Sequence, residues 1–182
     1  MRSIRLIKRV VVELMKQEGD EKEGTNQNGN RGEEEWTIPE EMWMKVNCHG
    51  AFSIKEEGNR REEAGIGVVV RDGNGRVVTG VARKMILKSG IEVEAAALRD
   101  GVFLAESMGI QKIVLEIDSE IMFKELEKGK GKGNWKIKPY IQNILGKKDC
   151  FEGKKFSKIK RSANKTTDWL AKQVKQGMSL TN

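Results

Sequence analysis

The sequence predicts an α/β domain: a three-stranded antiparallel meander, then β–α units, forming a mixed five-stranded sheet with helices on its faces. Three observations carry this. The apolar period is two from Trp43 onward. Two β-rich runs flank a Gly- and Asn-rich turn at Asp72–Gly75. From Val93 on, helical periodicity alternates with short apolar runs.

In the first strand Met44, Val46 and Cys48 alternate with Lys45, Asn47 and His49, so His49 lies on the face opposite the apolar set. The runs Ala64–Arg71 and Arg76–Arg83 make the hairpin. Gly65 and Gly67 weaken its first strand, and their expected use is close approach of a neighbouring element. A helix over Val93–Met108 places Glu94, Ala97, Leu98, Gly101, Val102, Ala105 and Met108 on one face, with Gly109 as its stop. Lys112–Ile117 reads as a central strand covered on both sides. Asp118 and Ser119 offer N-cap chemistry to a helix carrying Ile121, Met122 and Leu126, which Gly129–Gly133 breaks. A weaker helix is expected over Trp135–Leu145 with Pro139 in its first turns. A strand is expected over Phe156–Lys160. Asn164 or Thr167 caps a last helix carrying Leu170, Ala171 and Val174.

The domain is expected over 36–178, with a short tail at 179–182. Before it, Ile4, Ile7, Val11 and Leu14 mark an amphipathic helix over 1–16. Residues 17–35 are polar, rich in Gly and Glu, and read as a disordered linker. There is no run of 18 uncharged apolar residues and no secretory cleavage pattern. Two cysteines in 182 residues are no disulfide framework, and with one histidine they make a structural zinc site unexpected. These features point to an intracellular protein, nuclear or cytoplasmic, rather than a secreted one.

The net charge of +7 is unevenly spread. Residues 124–182 hold 16 Lys and Arg against 5 Asp and Glu (+11), and residues 1–123 hold 18 against 22 (−4). A basic C-terminal third suits a polyanion, because lysines that neutralise phosphates release condensed counterions; a merely lysine-rich soluble surface has the same composition. Lys132 and Trp135 combine charge with a stacking surface, though such a stretch is also an ordinary solvated loop. Lys160, Arg161 and Lys165 stand close in sequence to Asp168 and are better placed to hold phosphate.

Four polar residues can converge in this topology at one end of the central strands. His49 is on the first strand, Glu94 on the inward stripe of the first domain helix, Asp118 at the end of a parallel strand, and Asp168 near the start of the last helix. Carboxylates crowded together stay ionised only if cations neutralise them. Magnesium, or manganese, is the natural candidate, and two such ions can activate water and stabilise a leaving oxygen in phosphodiester hydrolysis. Each acid also has a structural alternative. Asp118 can be an N-cap, Asp168 can complement the helix dipole, and Glu94 can be half-exposed at a helix start.

Several motifs in order carry a family resemblance. They are Trp36-Thr-Ile-Pro39, Lys45-Val-Asn-Cys-His-Gly-Ala-Phe52, Ala64-Gly-Ile-Gly-Val-Val-Val-Arg-Asp72, Glu94-Ala-Ala-Ala-Leu-Arg-Asp-Gly101, Val114-Leu-Glu-Ile-Asp-Ser119 and Arg161-Ser-Ala-Asn-Lys-Thr-Thr-Asp-Trp-Leu-Ala171. With them, residues 43 to about 175 resemble the ribonuclease H-type, or reverse-transcriptase-like, domain of plant retroelement-related proteins. The resemblance implies a ribonuclease H-like fold and magnesium-dependent hydrolysis of RNA in RNA–DNA hybrids. It implies a metal-binding set of Glu94, Asp118, Asp168 and the His49 position, with the three acids catalytic. The family usually has Asp where this chain has His49. An imidazole offers one nitrogen to a metal where the carboxylate offers two oxygens, and it prefers zinc, manganese or iron. The expectation is weakened or lost hydrolysis. The alternative is an inactive module that binds nucleic acid or a protein.

Overall fold

The computed structural model describes residues 36–55, 61–129 and 133–177. The expected helix over 1–16, the linker 17–35, Lys132 and the tail lie outside the described residues.

Five strands form one sheet in the order β3-β2-β1-β4-β5. They are β1 (Met44–Lys55), β2 (Arg61–Arg71), β3 (Val77–Met85), β4 (Lys112–Ile117) and β5 (Gly153–Lys158). β1, β2 and β3 pair antiparallel, and β4 pairs parallel to both β1 and β5. The helices are α1 (Gly90–Ser107), α2 (Glu120–Lys128), α3 (Lys138–Gly146) and α4 (Lys165–Lys175), with 3-10 turns at Lys148–Cys150 and Arg161–Asn164. This is the expected mixed sheet, in the ribonuclease H-like arrangement.

Local chemistry explains the boundaries. Asp72 Oδ1 accepts from the backbone N–H of Asn74 and Arg76, both at 2.9 Å, and Gly75 supplies the positive φ that closes the hairpin. Gly109 ends α1 in the left-handed region, as Gly129 ends α2. Ser119, not Asp118, caps α2: its hydroxyl accepts from Met122 N. That leaves the Asp118 carboxylate for other work.

Three expectations shift. Met108 is not inward but caps α1 half out in solvent. α3 starts at Lys138, because Pro139 fits only the first turn, and Trp135 stays in the preceding turn, exposed. β5 begins and ends earlier than Phe156–Lys160. Its parallel register with β4, from Lys112↔Gly153 to Ile117↔Lys158, sets its ends, and one large apolar residue could not.

Each face of the sheet has its own helix. α1 presents Ala97, Leu98, Gly101, Val102 and Ala105 to Val46, Cys48, Ile66 and Val68 in the main core. A Cβ on Gly101 would sit 2.5 Å from Cys48 Sγ, so only glycine permits this spacing. α4 covers the other face over Gly65 and Gly67, where a Cβ would strike the backbone carbonyls of Ala171 and Thr167. The close approach expected of these two glycines is therefore made by α4. Gly50 plays the same part at the start of α1, since a Cβ there would lie 2.6 Å from Glu94 N.

Beneath this second face lies a buried polar network that the alternation in β1 does not announce. Glu116, 2% exposed, receives Lys45 Nζ at 2.6 Å, Asn47 Nδ2 at 2.5 Å and Trp36 Nε1 at 2.8 Å. Arg71 donates to Asn47 Oδ1 and to Thr166 Oγ1, both at 3.1 Å. Trp36 lies under both cations, 5.0 Å from Lys45 and 4.9 Å from Arg71. The network ties β1, β4, β2 and α4 together two residues from His49, Asp118 and Asp168. Removing one partner of a buried ion pair strands the other, at a cost of about 3–5 kcal/mol. Glu116→Ala should therefore lose that much stability in urea unfolding, and a loss under about 1 kcal/mol would show the network to be incidental.

Candidate functional site

β1 and β4 run parallel, and their register pairs Asn47 with Glu116. One alternation further, His49 and Asp118 come side by side. Glu94 is brought in from the first turns of α1 by the close approach at Gly50, and Asp168 from the first turn of α4. All four expected residues meet.

The imidazole stands at the centre. His49 is 3% exposed. Its Nδ1 lies 3.2 Å from Asp118 Oδ2 and 3.3 Å from Glu94 Oε1, and its Nε2 lies 3.0 Å from Asp168 Oδ1. An imidazolium has two N–H donors and no acceptor, which matches acids on both edges of the ring. Burial opposes its charge, but the Asp118 hydrogen bond and the charges of Glu94, Asp118 and Asp168 raise its pKa above the ordinary value.

The acids differ in their surroundings. Burial pushes the Glu94 carboxyl up to about 7, with Asp118 adding to the rise; His49, the Gly50 N–H at 3.1 Å and Arg161 act against it. Burial works the same way on Asp118 but is outweighed by hydrogen bonds from His49 and Asn164, so its pKa falls. Asp168 is also lowered: burial is overcome by Lys172, one turn on, and by Arg161. Arg161 Nη2 is 2.7 Å from Asp168 Oδ1 and 3.3 Å from His49 Nε2. With His49 protonated, guanidinium and imidazolium therefore share the Asp168 oxygen.

Two contributors escaped the sequence reading. Asn164, 2% exposed, reads in the sequence only as a helix cap. Its side chain instead donates to Asp118 Oδ2 at 3.1 Å and Cys48 O at 2.9 Å, holding Asp118 against β1. Lys172 pairs with Asp168 at the i,i+4 spacing, a signal that was present in the sequence. Of the expected phosphate-contacting residues, Arg161 reaches the cluster. Lys160 and Lys165 flank it, exposed, at either end of the 3-10 turn. Trp135 is 77% exposed beside Lys136, outside the cluster.

One donor atom each from His49, Glu94 and Asp118 lie within 4.8 Å of one another, so these three residues could hold a single cation. Asp168 is turned toward Arg161 and Lys172.

Comparison with known proteins agrees with this architecture. Residues 47–174 match the family model described as reverse transcriptase-like, well over half of the chain. No curated protein matches. Among solved structures, RNase H1 from the halophilic archaeon Halobacterium salinarum NRC-1 aligns with a TM-score of 0.65 at 20% identity, covering 75% of this chain and 99% of its own. The N-terminal RNase H domain of a Mycobacterium tuberculosis protein gives 0.65 at 16% identity, covering 74% and 94%. LC11-RNase H1, solved with an RNA/DNA hybrid, gives 0.62 at 19% identity, covering 73% and 96%. At these identities the structures speak for the fold, and the sequence match speaks for the family. The chain belongs to the reverse transcriptase-like family, as a ribonuclease H-type domain.

Proposed function

We propose that this domain binds nucleic acid, an RNA–DNA hybrid first of all, and that its magnesium-dependent hydrolysis of the RNA strand is weakened or lost. The observation that carries the reading is the His49 ring set among all three acids. The family resemblance puts an aspartate at that position. Nucleic acid as partner is supported by the fold, by the basic C-terminal third, and by fold relatives solved with RNA/DNA hybrid or double-stranded DNA.

The donor set does not fit a pair of magnesium ions. Magnesium takes near-octahedral oxygen at about 2.0–2.1 Å and keeps several waters. Here the imidazole fills the middle of the acid cluster. Each acid has a hydrogen-bonding or ionic partner, and Asp168 has two cations besides His49. The positive charge that the acids require already comes from the chain. A single cation on His49, Glu94 and Asp118 would have a nitrogen ligand, which favours manganese or zinc over magnesium.

Two outcomes check this. With magnesium, the native domain should leave a labelled hybrid uncut at enzyme-like times, while His49→Asp should cleave at least about 100-fold faster, the equivalent of roughly 2.7 kcal/mol in the barrier. Cleavage by the native domain at about 1 s⁻¹ or faster would defeat the reading. The second outcome concerns pH. A histidine whose folded pKa is raised adds stability below its unfolded value of 6.5, and that contribution is lost as pH rises through the folded pKa. The Tm advantage of the native domain over His49→Asn should therefore be largest near pH 6 and shrink toward pH 9 (approximate limits). An advantage that grows with pH would mean that the ring is held neutral.

A further inference from the structure

A cavity of about 300 Å³ opens beside His49. Its walls are the β1 segment His49–Phe52, Gly90 at the start of α1, Glu94, Arg161, and Lys172 and Lys175 from α4. Lys172 and Lys175 are three residues apart and so project from one side of the helix. Three of the lining residues are permanent cations and one, Glu94, is an acid. Lys175 Nζ has a neutral partner, Ser53 Oγ at 3.0 Å. Lys172 and Arg161 share a single carboxylate, Asp168. Arg161 and Lys172 keep 66% and 50% of their side chains exposed, so they are accessible to a ligand. Gly50 and Gly90 also line it, and Phe52 supplies an apolar flank.

We propose that this cavity is a metal-independent phosphate site, which seats a phosphate of an RNA or DNA strand on Lys175, Lys172 and Arg161. This rests on the nucleic-acid reading above and deepens it. Where a metal pair would bring a phosphate to carboxylates, this chain brings one to its own cations. Phosphate oxygens accept charge-assisted hydrogen bonds from ammonium and guanidinium groups alike. A strand held by these cations would be contacted through its backbone phosphates, which carry no sequence information.

The test has two arms on the full chain. The first measures binding of a fluorescent RNA–DNA hybrid in EDTA and in magnesium. Native affinity should agree within about twofold between the two, and Lys175→Gln should weaken it about 3- to 10-fold and lower the salt slope by about one. Arg76→Glu, in the exposed β2–β3 turn at the far end of β1, should show a smaller loss than Lys175→Gln. The second arm titrates inorganic phosphate in EDTA and follows the amide resonances of Gly50, Gly90 and Lys175, which should shift in the native chain and much less in Lys175→Gln. Hybrid binding that requires magnesium, or is indifferent to Lys175, overturns the site while leaving nucleic-acid binding intact. Phosphate shifts without hybrid binding in any buffer uphold the site and overturn the nucleic-acid reading. Silence in both arms removes both. Lys175→Gln lies at the end of α4, and an unchanged thermal transition shows that it folds.

Discussion

Three carboxylates within hydrogen-bonding reach of one imidazole ring are the constraint on which the rest of this structure turns. Glu94, Asp118 and Asp168 come from an inward helix stripe, a strand end and a helix start, and their mutual repulsion must be met by positive charge or by protonation. The chain supplies most of that charge itself. His49 meets acids at both ring edges, Arg161 and Lys172 take Asp168, and Asn164 takes Asp118. Glu94 has no lysine or arginine at salt-bridge distance among the described residues, only His49 and the Gly50 N–H, and it is the acid whose carboxyl rises to about 7. Burial is the main cause of that rise, and it acts on the acid whose cationic support is thinnest.

The fold holds these groups at close range by leaving atoms out. Gly50, Gly65, Gly67 and Gly101 each lack the Cβ that would keep a helix away from the sheet. The glycines let α1 and α4 come close enough for Glu94 and Asp168 to reach the same ring from opposite sides of β1. Under α4, the Lys45–Glu116–Asn47–Arg71 network fixes β1 against β4 and β2, and Arg71 extends it to Thr166. A strand slip of one residue would turn His49 to the apolar face and break every contact in both clusters. Register is therefore specified twice, by apolar packing on one face and by polar pairing on the other.

Much of this was legible in the sequence, because it depends on periodicity and local chemistry. The hairpin at Asp72–Gly75, the α1 stripe, β4 and the α4 stripe followed from spacing and turn residues. The order of strands and helices allows His49, Glu94, Asp118 and Asp168 to meet, and the family resemblance is what names them as a set. What was not legible depends on long-range partners. β5 carries one large apolar residue, and its ends are set by β4. Glu116 lies in a mostly apolar central strand, and nothing local says that Lys45, Asn47 and Trp36 lie across from it. Asn164 fits a helix cap by type and position, yet its amide is spent on Asp118 and Cys48. Short-range rules name the residues able to do a job, and tertiary contacts decide which job each one has.

The arrangement separates two properties that a carboxylate-only metal site joins. Such a site is strongly negative without its ions and repels a phosphate strand until they bind. In this chain the same acids are met internally, and Arg161, Lys172 and Lys175 line the adjoining cavity, so the approach of a phosphate need not wait for a metal. On the proposed reading the cost would fall on chemistry, because cations that hydrogen-bond to acids cannot generate a hydroxide from water as a bound divalent ion does. Changing His49 to aspartate would supply an oxygen donor but also remove the ring that three acid-bearing elements lean on. Recovered hydrolysis should therefore come with a greater need for divalent cation to hold the fold. An increase in Tm on adding magnesium to His49→Asp, well beyond any increase in the native domain, would show that the ring and the metal are alternative occupants of one electrostatic role.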